Sequence, residues 1–277
     1  LEKDADASVC RALAEKKPVY DSQLAFEMVI TLEFMLQEGN HIVSPGQVLM
    51  KKSAIPNIWK DNLLQKNGVD DWFLWLCMLA EGHKFVCNDE VLYEHIENGA
   101  NVSFNTVGMF ESEREMLALV KKFSIFDRVQ IEALGNTIEK MQCKQIQTLD
   151  KFKKMFLVYD QWMFLKNRGI SLATFIKKQG KKNICIYGLG YLGKALVSDL
   201  CETGINIVCA FDRNADYIEG IEVPVQRKVV SIDEAELCIV TLVDAGKSFY
   251  GELEDILKIP VISLAELLEK MEFDIEI

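Results

Sequence analysis

The chain has 277 residues, 49% apolar and 26% charged, which is typical of a globular protein and too apolar for intrinsic disorder. Its 31 Lys and Arg against 42 Asp and Glu give a formal charge of −11, which argues against a general nucleic-acid binder because such proteins need a basic surface. The longest strongly apolar run, residues 72–80, is far shorter than the roughly 20 residues of a membrane-spanning helix. The start at Leu1 lacks the pattern of a signal peptide, so we expect a cytoplasmic location.

The eight cysteines include no Cys-x-x-Cys pair, and the chain has only three histidines. Most of these cysteines lie in apolar runs, such as residues 72–80 and 184–187. Both observations argue against a structural zinc site. The pattern predicts free, buried thiols in a reducing compartment.

Three zones of different texture follow one another, and we interpret the whole as an α/β chain. Residues 1–105 mix short strands and helices and hold three of the five prolines. Residues 106–180 contain no proline and predict helix. Residues 181–277 alternate strands and helices.

An acid pair opens a strongly apolar helix in the first zone. Asp70 and Asp71 come directly before a run that is apolar nearly all round, and Gly82 ends it. Either acid can cap free N–H groups at the helix start. A helix apolar on all sides is buried, so its acidic end is expected to face an interior or a cleft. There a carboxylate with a raised pKa can act as a general base.

Together with its neighbours, this motif resembles family 2 glycosyltransferases of the GT-A fold. The matching run is Asp-Asp-Trp-Phe-Leu-Trp-Leu from Asp70, then Glu81-Gly-His-Lys-Phe, Leu92-Tyr-Glu-His95 and Asn101-Val-Ser103. Upstream, residues 44–52 resemble the strand that precedes the family's acceptor loop. The resemblance covers about residues 1–105, and it implies transfer of a sugar from a nucleotide sugar to a glycan or lipid-linked acceptor in cell-surface polysaccharide synthesis.

Carried over by position, Asp71 matches the family's catalytic base, and Asp70 replaces the usual Glu of the pair. His95 lies near the position of the family's histidine beside the metal or the donor diphosphate. It follows Tyr93 by two positions, a shorter spacing than is usual in the family, and Asn98 competes for the place. A histidine at a strand end is also commonly only hydrogen-bonded.

The family's donor-binding half ends in an Asp-x-Asp that holds Mn²⁺ or Mg²⁺. Asp4-Ala-Asp6 has these letters, but no apolar strand precedes it, so we expect no metal ligand in this chain and a divalent metal only in the full enzyme. The resemblance implies that Leu1 opens in mid-pattern, that the chain is the acceptor-side part, and that it needs the missing half for activity. It also implies peripheral association with the cytoplasmic membrane face.

The middle zone, 106–180, is predicted as a helical connector. Its apolar positions define one helical face, at spacings of three and four: Ile131, Leu134, Ile138, Met141, Leu149, Phe152 and Phe156. Gln145 and Gly135 interrupt or weaken this face. Two interpretations stay open, a packing face against the flanking domains and the seam of a homodimer.

The last zone carries a complete Gly-x-Gly-x-x-Gly between a predicted strand and a predicted helix. Gly188 permits the tight turn, Gly190 lets the backbone approach a pyrophosphate, and Gly193 lets the helix pack on the strand. Asp212 stands at the end of the next strand, where a carboxylate can accept hydrogen bonds from ribose hydroxyls. These features predict a Rossmann-like parallel sheet over residues 181–277, with NAD(P) or another nucleotide as the ligand if it holds one. The same glycines can also serve packing alone.

The same stretch nearly fits a phosphate-binding P-loop, but Ala195 stands where that motif needs a hydroxyl for Mg²⁺. None of the seven tyrosines has a lysine four residues on, and no histidine follows His95, so we interpret the zone as a binding or assembly module and not an oxidoreductase. It resembles the small Rossmann-like domains appended to sugar-polymer enzymes and sugar acyltransferases. The competing hypotheses are therefore a glycosyltransferase part, a non-catalytic nucleotide-binding module and a dimerising scaffold.

Overall fold

The apolar segments form two separate sheets, one in each of two units, in a computed structural model that describes residues 4–96 and 101–274. The N-terminal unit is Leu1–Gln145 and the C-terminal unit is Ile146–Ile277. Their division falls inside one long helix, so the predicted connector contributes residues to both units. The predicted α/β class is confirmed.

The N-terminal unit is built on a four-stranded mixed sheet. Its strands are β1 (Ala7–Ala14), β2 (Lys17–Pro18), β3 (Val48–Met50) and β4 (Phe85–His95). β1 pairs antiparallel with β2 and β3 and parallel with β4, in a register that runs from Ala7 opposite Phe85 to Ala14 opposite His95. The β1–β2 hairpin turns through Glu15 and Lys16, both at positive φ, as a two-residue turn between right-twisted strands requires.

The helices of this unit pack around one very apolar helix. They are α1 (Gln23–Met28), α2 (Leu32–Gln37), α3 (Asn57–Lys60), α4 (Asp70–Ala80), α5 (Thr106–Val120) and the first part of α6 (Arg128–Asn167). In α4, all seven residues from Trp72 to Met78 are buried, which confirms the burial predicted from the sequence. Gly82, at φ +86°, follows the helix end as predicted. The ring of Trp75 meets Phe85 edge-on with centroids 5.9 Å apart and ties α4 to the start of β4.

The C-terminal unit is a five-stranded parallel sheet, as the sequence predicts. After the rest of α6, its elements are α7 (Leu172–Lys178), β5 (Asn183–Tyr187), α8 (Tyr191–Leu200), β6 (Asn206–Phe211), β7 (Val225–Gln226), β8 (Leu237–Val240), α9 (Lys247–Leu257), β9 (Val261–Ser263) and α10 (Leu264–Phe273). The strand order is β7-β6-β5-β8-β9. From β5 the chain first adds strands on one side and then, with β8, on the other, so the topological switch point of this doubly wound sheet lies between β5 and β8. Ser263 Oγ accepts a hydrogen bond from Glu266 N at 3.0 Å and so caps the start of α10.

Successive residues of the central strands face opposite layers of this unit. Ile184 and Ile186 pack toward α6, α8 and α10, whereas Cys185 packs toward α9. Cys209 and Cys238 lie directly opposite Cys185 on the neighbouring strands, so three buried thiols form a row across the sheet. All eight cysteines are free, and five are buried. The burial on both faces explains why these strands are continuous apolar runs.

The predicted apolar face of α6 is buried in one part and exposed in another. Leu134 and Ile138 are buried in the core of the N-terminal unit, so packing explains this part. Leu149, Phe152 and Phe156 are exposed, with Phe156 at 66%. In the described ranges, no helix is long and apolar enough to cross a bilayer.

Candidate functional site

Asp70 and Asp71 are the first two residues of α4, and the structure brings them together at a helix start that no side chain caps from the N-cap position. The apolar residues that follow the pair are buried, so α4 packs in the core. Its first turn, which carries the two acids, therefore lies next to the protein interior. Negative charge at a helix N-terminus is favoured by the helix dipole. Local sequence therefore places the acid pair, and burial of α4 fixes where the pair points.

Asp71 is half-buried and has few partners. Its Oδ1 accepts a hydrogen bond from Trp72 N at 2.7 Å. Among the described residues, its Oδ2 receives only a long bond from Asn40 Nδ2, at 3.4 Å. One carboxylate oxygen therefore keeps unused capacity to accept a proton.

Burial raises the pKa of Asp71 from 3.8 to about 6. The charge of Asp70 raises this pKa further, while the hydrogen bonds from Trp72 N and Asn40 lower it. The main cause is loss of water around the charged form. A carboxylate with this pKa is ionised at neutral pH yet more basic than an exposed one, the property needed in a general base.

A buried hydrogen-bond network positions the loop that contacts Asp71. Asn40 Oδ1 accepts from Ile42 N at 3.0 Å and so fixes the turn that presents the Asn40 amide. Gln47, only 2% exposed, donates to Cys10 O at 3.0 Å and accepts from Val43 N at 2.7 Å. Gln47 thereby attaches this loop to β1.

Tyr20 extends the same network. Its hydroxyl accepts from Gln47 Nε2 at 3.2 Å and lies 3.2 Å from the His41 carbonyl oxygen, to which it donates. Sequence reasoning missed Asn40, Gln47 and Tyr20, because they are far from Asp71 along the chain. The one local signal is Gly39, at φ +90°, which marks a turn directly before Asn40.

Asp70 makes hydrogen bonds to the segments that precede α4. Its Oδ2 accepts from Gly68 N at 3.2 Å, and its carbonyl oxygen accepts from Trp59 Nε1 at 3.3 Å. These contacts give Asp70 a structural role in holding the entrance to α4. Its influence on Asp71 is the charge described above.

His95 is the last residue of β4, opposite Ala14 at the end of β1. Its Nε2 lies 3.2 Å from Asn101 Nδ2. Among the described residues, no hydrogen bond or ion pair joins His95 to Asp70 or Asp71. Asn98, the competing position, lies outside the described residues.

Asp6 is held by the start of the sheet. Its carboxylate accepts from Lys84 N at 3.0 Å and lies 3.3 Å from His83 Nδ1 and 3.8 Å from Lys51 Nζ. The hydrogen bond from Lys84 N, followed by His83 and Lys51, lowers the pKa of Asp6. Asp4 is exposed. Within residues 4–96 and 101–274, no three His, Cys, Asp or Glu side chains are grouped to hold a metal ion.

A shallow concavity of about 430 Å³ lies elsewhere on the N-terminal unit, between residues 60–65 and α5. Glu115 at its edge accepts hydrogen bonds from Gln65 N and Lys66 N, at 2.9 and 3.1 Å. Asp71 does not line it. The hydrogen bonds from Glu115 hold the loop at residues 65–66 against α5, which accounts for the shape of this concavity, and we assign it no chemical role.

In the C-terminal unit, two of the three predicted glycines are required by packing. A Cβ on Gly193 would lie 2.0 Å from the Gly188 carbonyl oxygen. Gly188 has φ +93°, and a Cβ there would lie 2.9 Å from Thr241 Oγ1. Thr241 Oγ1 donates to Gly188 O at 2.7 Å and so ties the glycine loop to the end of β8.

Gly190 differs from the other two. It is the N-cap residue of α8 with φ −69°, which any residue can adopt, and a Cβ there would meet nothing within 4 Å. In the described part of the chain, no side-chain hydrogen bond caps the start of α8. The free space and the uncapped N–H groups fit a phosphate group over Gly190, Tyr191 and Leu192.

Asp212 binds the glycine loop from the other side. Its Oδ2 accepts from Leu189 N at 2.7 Å and its Oδ1 accepts from Asn214 N at 2.8 Å. Each oxygen retains a lone pair, so the ribose contact predicted from the sequence is compatible with this geometry.

A cavity of about 230 Å³ lies near the carboxyl end of β8, beside the switch point. Its polar side chains are Lys154, Thr241, Tyr250 and Ser263, and the rest of its lining is apolar. Burial raises the pKa of Tyr250, while its hydrogen bond with Ser263 lowers it. Small-molecule pockets span about 300–1,000 Å³, so this cavity has room for one ring-sized part of a ligand.

Comparisons of the chain with models of known protein families, with curated proteins and with solved structures find no match. The family resemblance therefore depends on the quoted motifs, and the site depends on the geometry above.

Proposed function

We propose that this chain is the acceptor-side part of a family 2-like glycosyltransferase, with Asp71 as the general base. The observation that carries the proposal is a half-buried carboxylate, with a pKa of about 6, at the start of a buried helix. The fold class and the motif order of the N-terminal unit are compatible with this family. They also fit other α/β proteins, so the base is the decisive feature.

The chemistry assigned to Asp71 is removal of a proton from the acceptor hydroxyl. As the acceptor oxygen bonds to the anomeric carbon of the nucleotide sugar, the bond between that carbon and the diphosphate oxygen breaks. The electron pair leaves with the nucleoside diphosphate, and the proton moves to Asp71 Oδ2, the oxygen with only the long Asn40 contact. Asn40 holds the carboxylate in place through the transfer.

A divalent metal would neutralise the leaving diphosphate in a complete enzyme of this family. No step above is assigned to a metal. The proposal concerns only acceptor activation.

The test is release of nucleoside diphosphate from a panel of nucleotide sugars by the full-length protein with glycan or lipid-linked acceptors. Asp71→Asn keeps the side-chain volume and is expected to lower the rate by about 10²–10⁴-fold, the usual contribution of a general base. Asp61→Asn removes one exposed negative charge from the same unit and serves as the control. Wild-type turnover in Asp71→Asn refutes the assignment.

A second candidate function, nucleotide binding by the C-terminal unit, is favoured by Gly190. Packing requires Gly188 and Gly193, but it does not require Gly190. A ligand that approaches the backbone closely would explain the glycine there. Calorimetry with NAD, NADP and nucleotide sugars tests this, since Gly190→Val should abolish binding without unfolding the unit. If none of these compounds binds the wild type, this second function is wrong.

A further inference from the structure

Along α6 in the C-terminal unit, one stripe of apolar side chains faces away from the core. Its members are Leu149, Phe152, Phe156 and Tyr159, at spacings of three, four and three residues. All four are exposed. The opposite side of the same helix is buried, at Val158, Trp162 and Leu165, so packing inside the unit does not explain the stripe.

The exposed area is large enough for a stable interface. Ile146, Leu157 and Phe164 are also exposed and widen the stripe along one flank. A covered aromatic side chain buries about 150–250 Å², so seven side chains that are about half exposed offer roughly 700 Å² per copy. Two copies would bury roughly 1,400 Å², within the range of about 1,200–2,000 Å² found in specific interfaces.

Two charged residues on that flank suggest which partner covers the stripe. Lys153 and Asp160 are seven residues apart, so they lie two turns apart on the same side of the helix. Both are exposed, and neither has an ion-pair partner in the parts of the chain that are described. Midway between them lie Phe156 and Leu157.

We propose that a second copy of this chain binds the stripe, with the two α6 helices antiparallel and crossing near Phe156. A two-fold axis at that point places Lys153 of each copy opposite Asp160 of the other and forms two ion pairs. The same pair of residues on each copy is therefore complementary to the pair on the other copy. This inference depends on α6 alone and is independent of the proposed transferase activity.

The opposite, parallel arrangement is disfavoured by the other flank. In a parallel pair, the flank with Lys153 faces the partner's opposite flank, which carries Thr148, Met155 and Trp162. None of these is charged, and Trp162 is only 2% exposed. A lipid surface is disfavoured by Asp160, because a carboxylate within the apolar face is costly in a membrane.

Sedimentation velocity of the full chain, over a wide concentration range, tests the proposal. The wild type should form a species of twice the 31.5 kDa mass of one copy. Lys153→Glu and Asp160→Lys should each weaken dimerisation at least 10-fold, because each places like charges opposite each other. The double variant Lys153→Glu/Asp160→Lys should restore the dimer to within about threefold of the wild type. All of these residues are exposed, so folding is expected to be unaffected, and circular dichroism checks it.

Lys151→Glu is the matched control, since it makes the same charge change on an exposed position away from the stripe. It should leave dimerisation as in the wild type. A protein that stays monomeric at every concentration overturns the proposal, and so does a double variant that does not recover. Binding of the monomer to phosphatidylglycerol vesicles that Phe156→Lys removes would assign the stripe to a membrane and also overturn it.

Discussion

Replacing Asp71 by Asn is expected to stabilise the N-terminal unit at neutral pH. Burial raises the pKa of Asp71 from 3.8 to about 6, so ionising this carboxyl costs more free energy in the folded chain than in the unfolded chain. At about 1.4 kcal/mol per unit, this is at most about 3 kcal/mol of lost stability. Asp71 is partly accessible to water, and Asn keeps the volume and an acceptor for Trp72 N, so we expect a gain of about 1–2 kcal/mol.

The size of this effect depends on pH. Below about pH 4, the carboxyl is protonated in both the folded and the unfolded chain, so wild type and Asp71→Asn should be equally stable. Between about pH 4 and 6, the unfolded chain loses the proton before the folded chain does, and the stability of the wild type falls. Above that window, the difference between the two proteins should be constant.

Urea denaturation followed by tryptophan fluorescence measures the difference, because three of the four tryptophans, at 59, 72 and 75, lie in the N-terminal unit. The two proteins are compared at pH 7.5 and at pH 4, with Asp61→Asn as the control for net charge. A variant that is less stable than the wild type at pH 7.5 would refute the reasoning. So would a difference of the same size at both pH values, since it could not come from ionisation of Asp71.

Three further predictions concern packing and burial in the two units. Gln47→Leu should destabilise the N-terminal unit by about 2–4 kcal/mol in urea denaturation, because it leaves buried backbone groups without partners; full stability would exclude the network. Gly193→Ala should cost about 2–4 kcal/mol in the C-terminal unit, while Gly190→Ala should cost less than about 1 kcal/mol; equal losses would contradict the packing described here. Iodoacetamide with mass spectrometry should label Cys143 and Cys201 in the native protein well before the buried thiols, and rapid labelling of all eight would contradict their burial.

Local patterns were sufficient to predict part of the secondary structure. The burial of α4, its end at Gly82 and the alternation of strands and helices after residue 181 follow from apolar periodicity and from helix-ending residues. These features can be predicted locally, because backbone geometry and apolar spacing are set by residues that are close together along the chain. The parallel sheet follows from the same alternation.

The network around Asp71 could not be predicted from such patterns. Asn40, Gln47 and Tyr20 meet Asp71 and β1 only because the chain folds back on itself, and none of their spacings carries a signal. The pKa of Asp71 likewise depends on how much water the surrounding elements exclude, which no single segment determines.

Sequence left open how the apolar face of α6 is used and whether the three glycines serve packing. Tertiary packing distinguishes the residues involved in each case. Burial divides the apolar face of α6 into a part inside the N-terminal core and an exposed stripe, although both parts have the same spacing along the chain. Space around each Cα separates Gly190 from Gly188 and Gly193, although all three belong to one motif. Sequence by itself determined the helix that begins at Asp70, the strand–helix alternation after residue 181 and the candidate residues, because these depend on neighbours along the chain. Tertiary structure decided which of those residues are packed, which are free and which pKa is shifted, because burial and contact depend on residues that are distant in sequence.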